Sequence, residues 1–381
     1  MSLYAPRLAM VAGEASGDLL AGMLLSGLRQ RWPDLAACGI GGPQMTAQGF
    51  DAWWPSDRLA VRGYAEVLRH YPALLRLRGQ LGERLLRTRL DAFIGVDAPD
   101  FNLDLELRLK ARGTKTIHFI GPSIWAWRGE RIEKIKRAVD HMLCIFPFEP
   151  ALYAQHGVAA TYVGHPLADA IPLVVPREAS RHALGLAADA TVVALLPGSR
   201  RAEIAYIAPT LLAAAAEMQR RRPALRFVLP AAPGLRGLLA PLIAQHAPGI
   251  GVQLLDGQSH AALAACDVTL IASGTATLEA ALYKRPMVIA YNMHWLSAQI
   301  MKRKNYQPWV GLPNILLRDF AVPELLQANL TAQRVADAAL AWLDDPAACT
   351  ALAARFDALH HTLRRHTAQA ATDAIEKILA T

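Results

Sequence analysis

Short apolar runs separated by longer stretches of helical spacing recur from one end of this chain to the other, and that alternation leaves few folds open. The runs at 7–12, 92–96, 115–120 and 142–146 are brief and almost wholly apolar, as strands covered on both faces are. Helical patterns follow the first run to residue 32 and the second to residue 112. Strand and helix in strict alternation predict βαβ units around a parallel sheet. Between 165 and 190 the pattern breaks into HPLADAIPLVVPREASRHALGLAADA, which holds three prolines and no sustained apolar period, as an interdomain connection does. A second series opens at 191–196 and continues at 225–229, 252–255, 268–271 and 287–290. From Pro323 onward only helical patterns remain. The expected fold class is α/β, with two doubly wound domains at 1–170 and 171–345 and helices at 346–381 packing across them.

A length of 381 residues suits two cores better than one, and 53% hydrophobic against 19% charged residues can fill both. Lys and Arg outnumber Asp and Glu by 40 to 32, for a net charge of +8, so a phosphate-bearing substrate, an anionic lipid surface or a nucleic acid is the partner class to consider. Cys38, Cys144, Cys266 and Cys349 are scattered, with no CxxC pair and no matching His spacing, which argues against zinc and against a disulfide framework and suits a reducing compartment. The first apolar run is too short for a signal-peptide core and leads straight into a Gly-rich turn, so it reads as a strand. No apolar run reaches the roughly 18 residues that a spanning helix needs, so any membrane contact is expected to be peripheral.

Four strand ends carry residues fit for chemistry. The first runs into GEASGD (13–18), a small-residue turn before a helix, where backbone amides and the positive helix end face a ligand and the Glu14 carboxylate interrupts what a purely phosphate-binding loop would keep neutral. The plainer reading is a tight turn in which Ser16 or Asp18 caps the helix. The strand at 92–96 runs into GVDAPDFN and sets Asp97, Asp100 and Asn102 at its carboxyl end. A sugar hydroxyl attacking an anomeric carbon needs a base, and Asp97 or Asp100 can serve, unless one of them caps the next helix. In the second series LLPGSRRAEI presents Gly198, Ser199, Arg200 and Arg201. Charge growing on a departing diphosphate is met, where no metal does so, by guanidinium groups and helix-terminal amides, a role open to Arg200 or Arg201. ASGTATLEAAL then offers Ser273, Gly274 and Thr275 to phosphate, with Glu279 one turn further in and able to accept both ribose hydroxyls. No metal ligands and no cofactor are expected.

The stretch 64–90 interleaves leucines at spacings of three and four with Arg69, Arg76, Arg78, Arg84, Arg87 and Arg89, close to Trp53 and Trp54. It reads equally as a helix lying on an anionic bilayer and as a core-facing helix with a solvated basic face. MKRKNYQPW (301–309) is a second stretch of this kind.

Taken in order, GEASGD, FIGVDAPDFN, GPSIWAWR, VGHPLAD, LLPGSR, ASGTATLEAAL and LPNIL resemble the lipid-A-disaccharide synthase family over nearly the whole chain. The resemblance implies a GT-B architecture, two Rossmann-like domains facing a cleft, with the acceptor held by the first and the nucleotide mainly by the second. It implies an inverting, metal-independent transfer from UDP-2,3-diacylglucosamine to the 6-hydroxyl of 2,3-diacylglucosamine 1-phosphate, giving a β-1,6 bond and free UDP. By the same resemblance Asp100 is the general base, Arg200 the diphosphate ligand and Asn314 of LPNIL a further functional position. Ser273, Thr275 and Glu279 would contact uridine diphosphate, while Glu14, Ser16 and His165 would line the cleft. The implied partners are the two acylated sugars and, peripherally, the inner membrane, from the cytoplasmic side; a homodimer is left open. The alternatives in enzyme chemistry are another GT-B UDP-sugar enzyme, such as a cell-wall glycosyltransferase or a UDP-sugar 2-epimerase, from which DAPDFN and GPSIWAWR set the chain apart. Nucleic acid is not an expected partner, because the basic helix lacks interleaved aromatics and no binding module is present.

Overall fold

A computed structural model describes residues 5–59, 64–126, 129–292 and 307–381, and of 64–70 the backbone alone. The chain divides into two compact units, Met1–Asp169 with Leu363–Thr381, and Ala170–Thr362.

The first unit is built on β1 (Arg7–Ala12), β2 (Ala36–Gly41), β3 (Asp51–Pro55), β4 (Ala92–Val96), β5 (Lys115–Phe119), β6 (His141–Cys144) and β7 (Ala159–Tyr162). They form one sheet in the order β3-β2-β1-β4-β5-β6-β7, and every pairing is parallel. The order reverses between β1 and β4, where Leu8 pairs with Ala92 and Ala12 with Val96. At such a reversal the outgoing connections leave to opposite faces and open a crevice outside the strand ends. All five residues of β4 are buried, which explains the unbroken apolar run. The helices of this part of the chain are α1 (Glu14–Arg31), α2 (Pro43–Ala47), α3 (Tyr64–Arg87), α4 (Pro99–Lys110), α5 (Ile132–Ala138), α6 (Glu149–Gln155) and α7 (Pro166–Ala170).

Helix α3 resolves the basic stretch as far as its side chains are described. Leu77, Leu81 and Leu85, four residues apart, are buried in one cluster with Val11, Ile40, Phe93 and Leu105. The leucine stripe is therefore spent on the core. The Arg84 guanidinium lies 3.8 Å from the Trp53 ring centroid, so that tryptophan is covered by a cation. Among the described side chains of this helix, Tyr71 and Leu75 are the large apolar ones left exposed.

The second unit contains β8 (Val192–Leu196), β9 (Arg226–Ala231), β10 (Val252–Asp256), β11 (Val268–Ala272), β12 (Met287–Tyr291) and β13 (Glu324–Leu326). Their order is β10-β9-β8-β11-β12-β13, again parallel throughout, with the reversal between β8 and β11. The helices are α8 (Arg177–Ala183), α9 (Arg201–Arg221), α10 (Arg236–His246), α11 (Ser259–Ala265), α12 (Thr275–Leu282), α13 (Leu312–Leu317), α14 (Ala332–Asp344) and α15 (Pro346–Leu363). The expectation of helix alone after Pro323 is corrected by β13, whose Glu324 pairs with Ile289 of β12. Three residues on a sheet edge are too few to leave a strand period in the sequence.

The chain then returns to the first unit as α16 (Thr367–Ala380). The Asp169 carboxylate caps it, accepting from His366 N at 3.0 Å and Thr367 N at 2.6 Å. It packs on α1 so closely that a Cβ on Gly27 would meet the Ala368 carbonyl oxygen at 2.7 Å. Arg31 of α1 pairs with both Asp373 and Glu376. No helix among the described residues is long and apolar enough to cross a membrane.

Candidate functional site

In the first unit the loops after β1 and β4 border the reversal point. Gly13 leads into α1 without a side-chain cap, and Glu14 takes φ +57° with its side chain exposed, as is that of Ser16. Neither Ser16 nor Asp18 caps α1. Asp18 turns inward and caps α2 instead, accepting from Gly42 N at 2.8 Å, Gln44 N at 2.9 Å and Met45 N at 3.1 Å.

After β4, Asp97 and Ala98 hold φ of +50° and +44°, two successive left-handed residues that are not glycine. Each costs on the order of 1–2 kcal/mol and persists only where the surroundings enforce it. The enforcement is visible. Asn102 is fully buried, and its Nδ2 donates to the Asp97 carbonyl at 2.8 Å and reaches the Val11 carbonyl, at the end of β1, at 3.4 Å. The Asp97 amide donates to the Phe119 carbonyl at 2.9 Å. Beneath the turn, Glu106 and His118 bond through Oε1 and Nδ1 at 2.8 Å, both wholly buried. Burial alone would lower the His118 pKa, but the charge and hydrogen bond of Glu106 outweigh it and raise the value.

Asp100 is the second residue of α4, after Pro99, and its side chain is exposed. Neither Asp97 nor Asp100 caps α4; the capping position is Ala98. Asp100 Oδ1 accepts from Arg131 Nη2 at 2.6 Å. His165 follows β7, three strands along the sheet from β4, so the fold does not bring it beside Asp100. It is buried against Phe146, with ring centroids 5.5 Å apart, and its Nδ1 accepts from Leu167 N at 3.2 Å. Burial pushes its pKa down to about 4, which keeps the imidazole neutral. Nearby Glu149 is also buried, accepts from Phe146 N at 3.0 Å and Trp125 Nε1 at 3.3 Å, and is pushed up to about 7 by burial.

In the second unit the reversal between β8 and β11 opens into a cavity of about 430 Å³. Gly198, Ser199, Arg200, Ser273, Gly274, Thr275 and Glu279 line it together, the set expected from two distant motifs. Gly198 holds φ +120°, and a Cβ there would meet Glu203 Cβ at 2.7 Å. Glu203 closes over the loop: its carboxylate accepts from Ser199 N at 3.1 Å, Arg200 N at 3.3 Å and Arg200 Nη1 at 3.1 Å. Arg201, the first residue of α9, is exposed. On the other side Gly274 holds φ +149° and nothing lies within 4 Å of the Cβ it lacks, which leaves the amino end of α12 open to a ligand.

Two predicted residues in this unit act as braces. Ser273 Oγ donates to the Val310 carbonyl at 2.8 Å. Asn314 is fully buried: Nδ2 donates to Val322 O and Glu324 Oε1, both at 2.9 Å, while Oδ1 accepts from Val322 N at 3.0 Å. Glu324 in turn accepts from Val310 N and Gly311 N, each at 2.9 Å. Asn314 thus fixes the segment that Ser273 holds. The sequence reading missed His260, whose Nε2 lies 3.5 Å from Glu279 Oε2; its pKa is raised chiefly by the hydrogen bond to that carboxylate. Trp127 and Arg128 of GPSIWAWR, and 301–306 of the second basic stretch, lie outside the described residues.

A larger hollow of about 960 Å³ involves Lys115 and His141, the first residues of β5 and β6. It lies at the amino ends of those strands, opposite the edge where parallel sheets bind ligands.

The family profile described as lipid-A-disaccharide synthetase matches residues 8–378. A protein of Albidiferax ferrireducens named lipid-A-disaccharide synthase is 60% identical over 378 residues, covering 98% of this chain and 97% of its own. One of the same name from Verminephrobacter eiseniae is 58% identical over 387 residues, covering 100% and 99%. Among solved structures, the UDP-GlcNAc 2-epimerase of Neisseria meningitidis bound to UDP-GlcNAc superposes with TM-score 0.66 at 11% identity, over 98% of this chain and 100% of that one. MurG of Acinetobacter baumannii does so with TM-score 0.56 at 14% identity, over 98% and 99%. At such identities these likenesses speak for the fold alone, the GT-B type with two parallel-sheet units. The full-length profile match and the relatives at and near 60% identity speak for more: the chain belongs to the lipid-A-disaccharide synthetase family.

Proposed function

We propose that this chain transfers 2,3-diacylglucosamine from its UDP-linked form to the 6-hydroxyl of 2,3-diacylglucosamine 1-phosphate, with inversion, yielding the β-1,6-linked lipid A disaccharide 1-phosphate and UDP. The observation that carries the reading is the second unit's cavity, where the loops after β8 and β11, Arg200 and Glu279 share one volume. Its size falls within the roughly 300–1,000 Å³ usual for small-ligand sites. The names of the full-length relatives supply the acylated sugars.

In this reading the diphosphate lies against the Gly274 and Thr275 end of α12 and the guanidinium of Arg200, and Glu279 accepts the ribose hydroxyls. The acceptor belongs to the first unit. Its O6 attacks the donor's anomeric carbon, the carbon–oxygen bond to the diphosphate breaks, and the electron pair leaves with UDP. Asp100 takes the O6 proton as the new bond forms. Arg200 stabilises the charge arriving on the leaving oxygen. Glu14, Ser16 and Asp97 border the same strand ends as Asp100, while Asn102 acts on the acceptor side by fixing the Asp97 turn. Asn314 acts in the same indirect way on Ser273. Peripheral contact with the inner membrane belongs to the proposal because both substrates carry acyl chains. The exposed Tyr71 and Leu75, beside the exposed Arg76, are the described surface that suits it.

The test is to incubate the protein with both diacylated substrates and seek the tetraacylated disaccharide phosphate by mass spectrometry. UDP release from UDP-N-acetylglucosamine at the same rate as from the diacylated donor would defeat the lipid assignment. Asp100→Ala is expected to abolish transfer with little change in folding.

A further inference from the structure

The carboxylate assigned as base is already engaged. Asp100 Oδ1 accepts from Arg131 Nη2 at 2.6 Å, and the two side chains are unequally placed: Asp100 is 84% exposed, Arg131 18%. The arginine is the anchored member. It closes the single turn Gly129–Arg131 that leads into α5, on the connection leaving β5, the neighbour of β4. Two further cations gather there. Arg78 Nη1 donates to the Asp100 carbonyl at 3.2 Å and pairs with Asp104, as does Lys134. Arg78, Arg131 and Lys134 set three positive charges against the two carboxylates of Asp100 and Asp104, an excess of one. Such an excess beside the strand-end crevice suits an anion, and the acceptor of the proposed reaction brings one, the phosphate on C1. The roles assigned above leave that phosphate without a ligand.

We propose that Arg131 is the phosphate ligand of the acceptor, and that the phosphate unmasks the base by drawing this guanidinium away from Asp100. A carboxylate oxygen already accepting from a guanidinium has that lone pair occupied when the hydroxyl proton arrives. A phosphate monoester offers the guanidinium fork two of its three terminal oxygens and carries up to two negative charges, so it competes for the guanidinium on favourable terms. Arg131 then holds the phosphate end of the sugar and Asp100 turns its freed oxygen to O6. The acceptor thereby makes its own base available, and a sugar lacking the phosphate finds Asp100 still paired. The inference rests on reading the first unit as the acceptor's and Asp100 as the base.

The experiment compares wild type, Arg131→Gln and Arg131→Lys on two acceptors, 2,3-diacylglucosamine 1-phosphate and 2,3-diacylglucosamine, with saturating diacylated donor in detergent micelles. Wild type is expected to prefer the phosphorylated acceptor by on the order of 100-fold in kcat/KM, the scale of losing one partner of a close charge pair. Arg131→Gln should lose that preference from both sides, slowing the phosphorylated acceptor and, with Asp100 no longer paired, speeding the unphosphorylated one, with the donor KM unchanged. Arg131→Lys, which keeps the charge without the fork, should retain part of it. Equal loss on both acceptors, or a preference that survives in Arg131→Gln, would overturn the assignment. Melting temperatures of the three proteins report whether folding is affected. Contact between the phosphate and Arg131 does not require Asp100 to be the base, so turnover surviving in Asp100→Ala would sink the unmasking and leave the phosphate ligand to the Arg131→Gln result.

Discussion

Asn102 shows how a site residue can matter without touching substrate. Its Nδ2 is spent on the backbone of the Asp97–Ala98 turn, at the same strand end as Asp100. Asn102→Ala should therefore cost stability, about 1–3 kcal/mol from the carbonyls left unpaired. It should cost kcat more than either KM, because a relaxed turn moves the start of α4 and not the nucleotide cavity. Urea denaturation and steady-state kinetics check the two parts separately. His165 and Glu149 make a second residue-level pair through pH. Burial holds His165 down to about 4, so the unfolded chain binds more protons there from pH 4 to 6.5, and its contribution to stability rises with pH across that window. Burial holds Glu149 up to about 7, so the folded chain binds more protons from pH 4.5 to 7, and its contribution falls with pH. The two slopes oppose each other between 4.5 and 6.5. His165→Gln removes the rising one, and its stability relative to wild type should fall by up to about 1.4 kcal/mol per pH unit from 5 to 6.5. A constant difference between the two urea midpoints over that range would refute the burial argument.

At the scale of elements, the four loops proposed to carry the chemistry were legible because each follows a central strand whose unbroken apolar run announces itself. Gly198 and Gly274 mark places beside the cavity where the backbone takes a positive φ that other residues rarely adopt. Three outer strands of the first sheet were not legible: β3, DAWWP, and β7, AATY, at its edges and β2, AACGIG, next to one are too short or too mixed to stand out. Nor were the roles of Asp18, Arg131 and Asn314, whose partners lie elsewhere in the sequence and are known only once the chain has folded. Glu203 is the instructive case. Three residues into α9, it reads as a capping glutamate, and it is one, yet it occupies the amides that an incoming diphosphate would use. Glu203→Gln keeps an acceptor oxygen while removing the competing charge. Calorimetric titration with UDP should show binding tighter by about threefold, the scale of one charge at a helix end. Weaker binding would mean that the carboxylate supports the loop more than it obstructs the anion.

For the whole molecule, the division of labour predicts that the two units can be weakened separately. Deleting 364–381 removes the helix that buries Ala371 and Ile375 and pairs with Arg31, and leaves residues 170–362 of the second unit in place. Hydrogen exchange should quicken in α1 and β1 while protection persists in β8 and β11, and UDP should still bind. Loss of UDP binding in the truncated chain would argue against placing the nucleotide in the second unit alone.

The return of α16 also sets a clock on synthesis. The amino-terminal sheet leaves the ribosome first, but its last covering helix is translated only after the entire second unit, residues 170–362. At the usual pace of elongation that is a wait on the order of tens of seconds. Throughout it the face of α1 around Gly27 stands bare, a surface for chaperones to hold and for premature partners to find, until the final turn of chain arrives to close it.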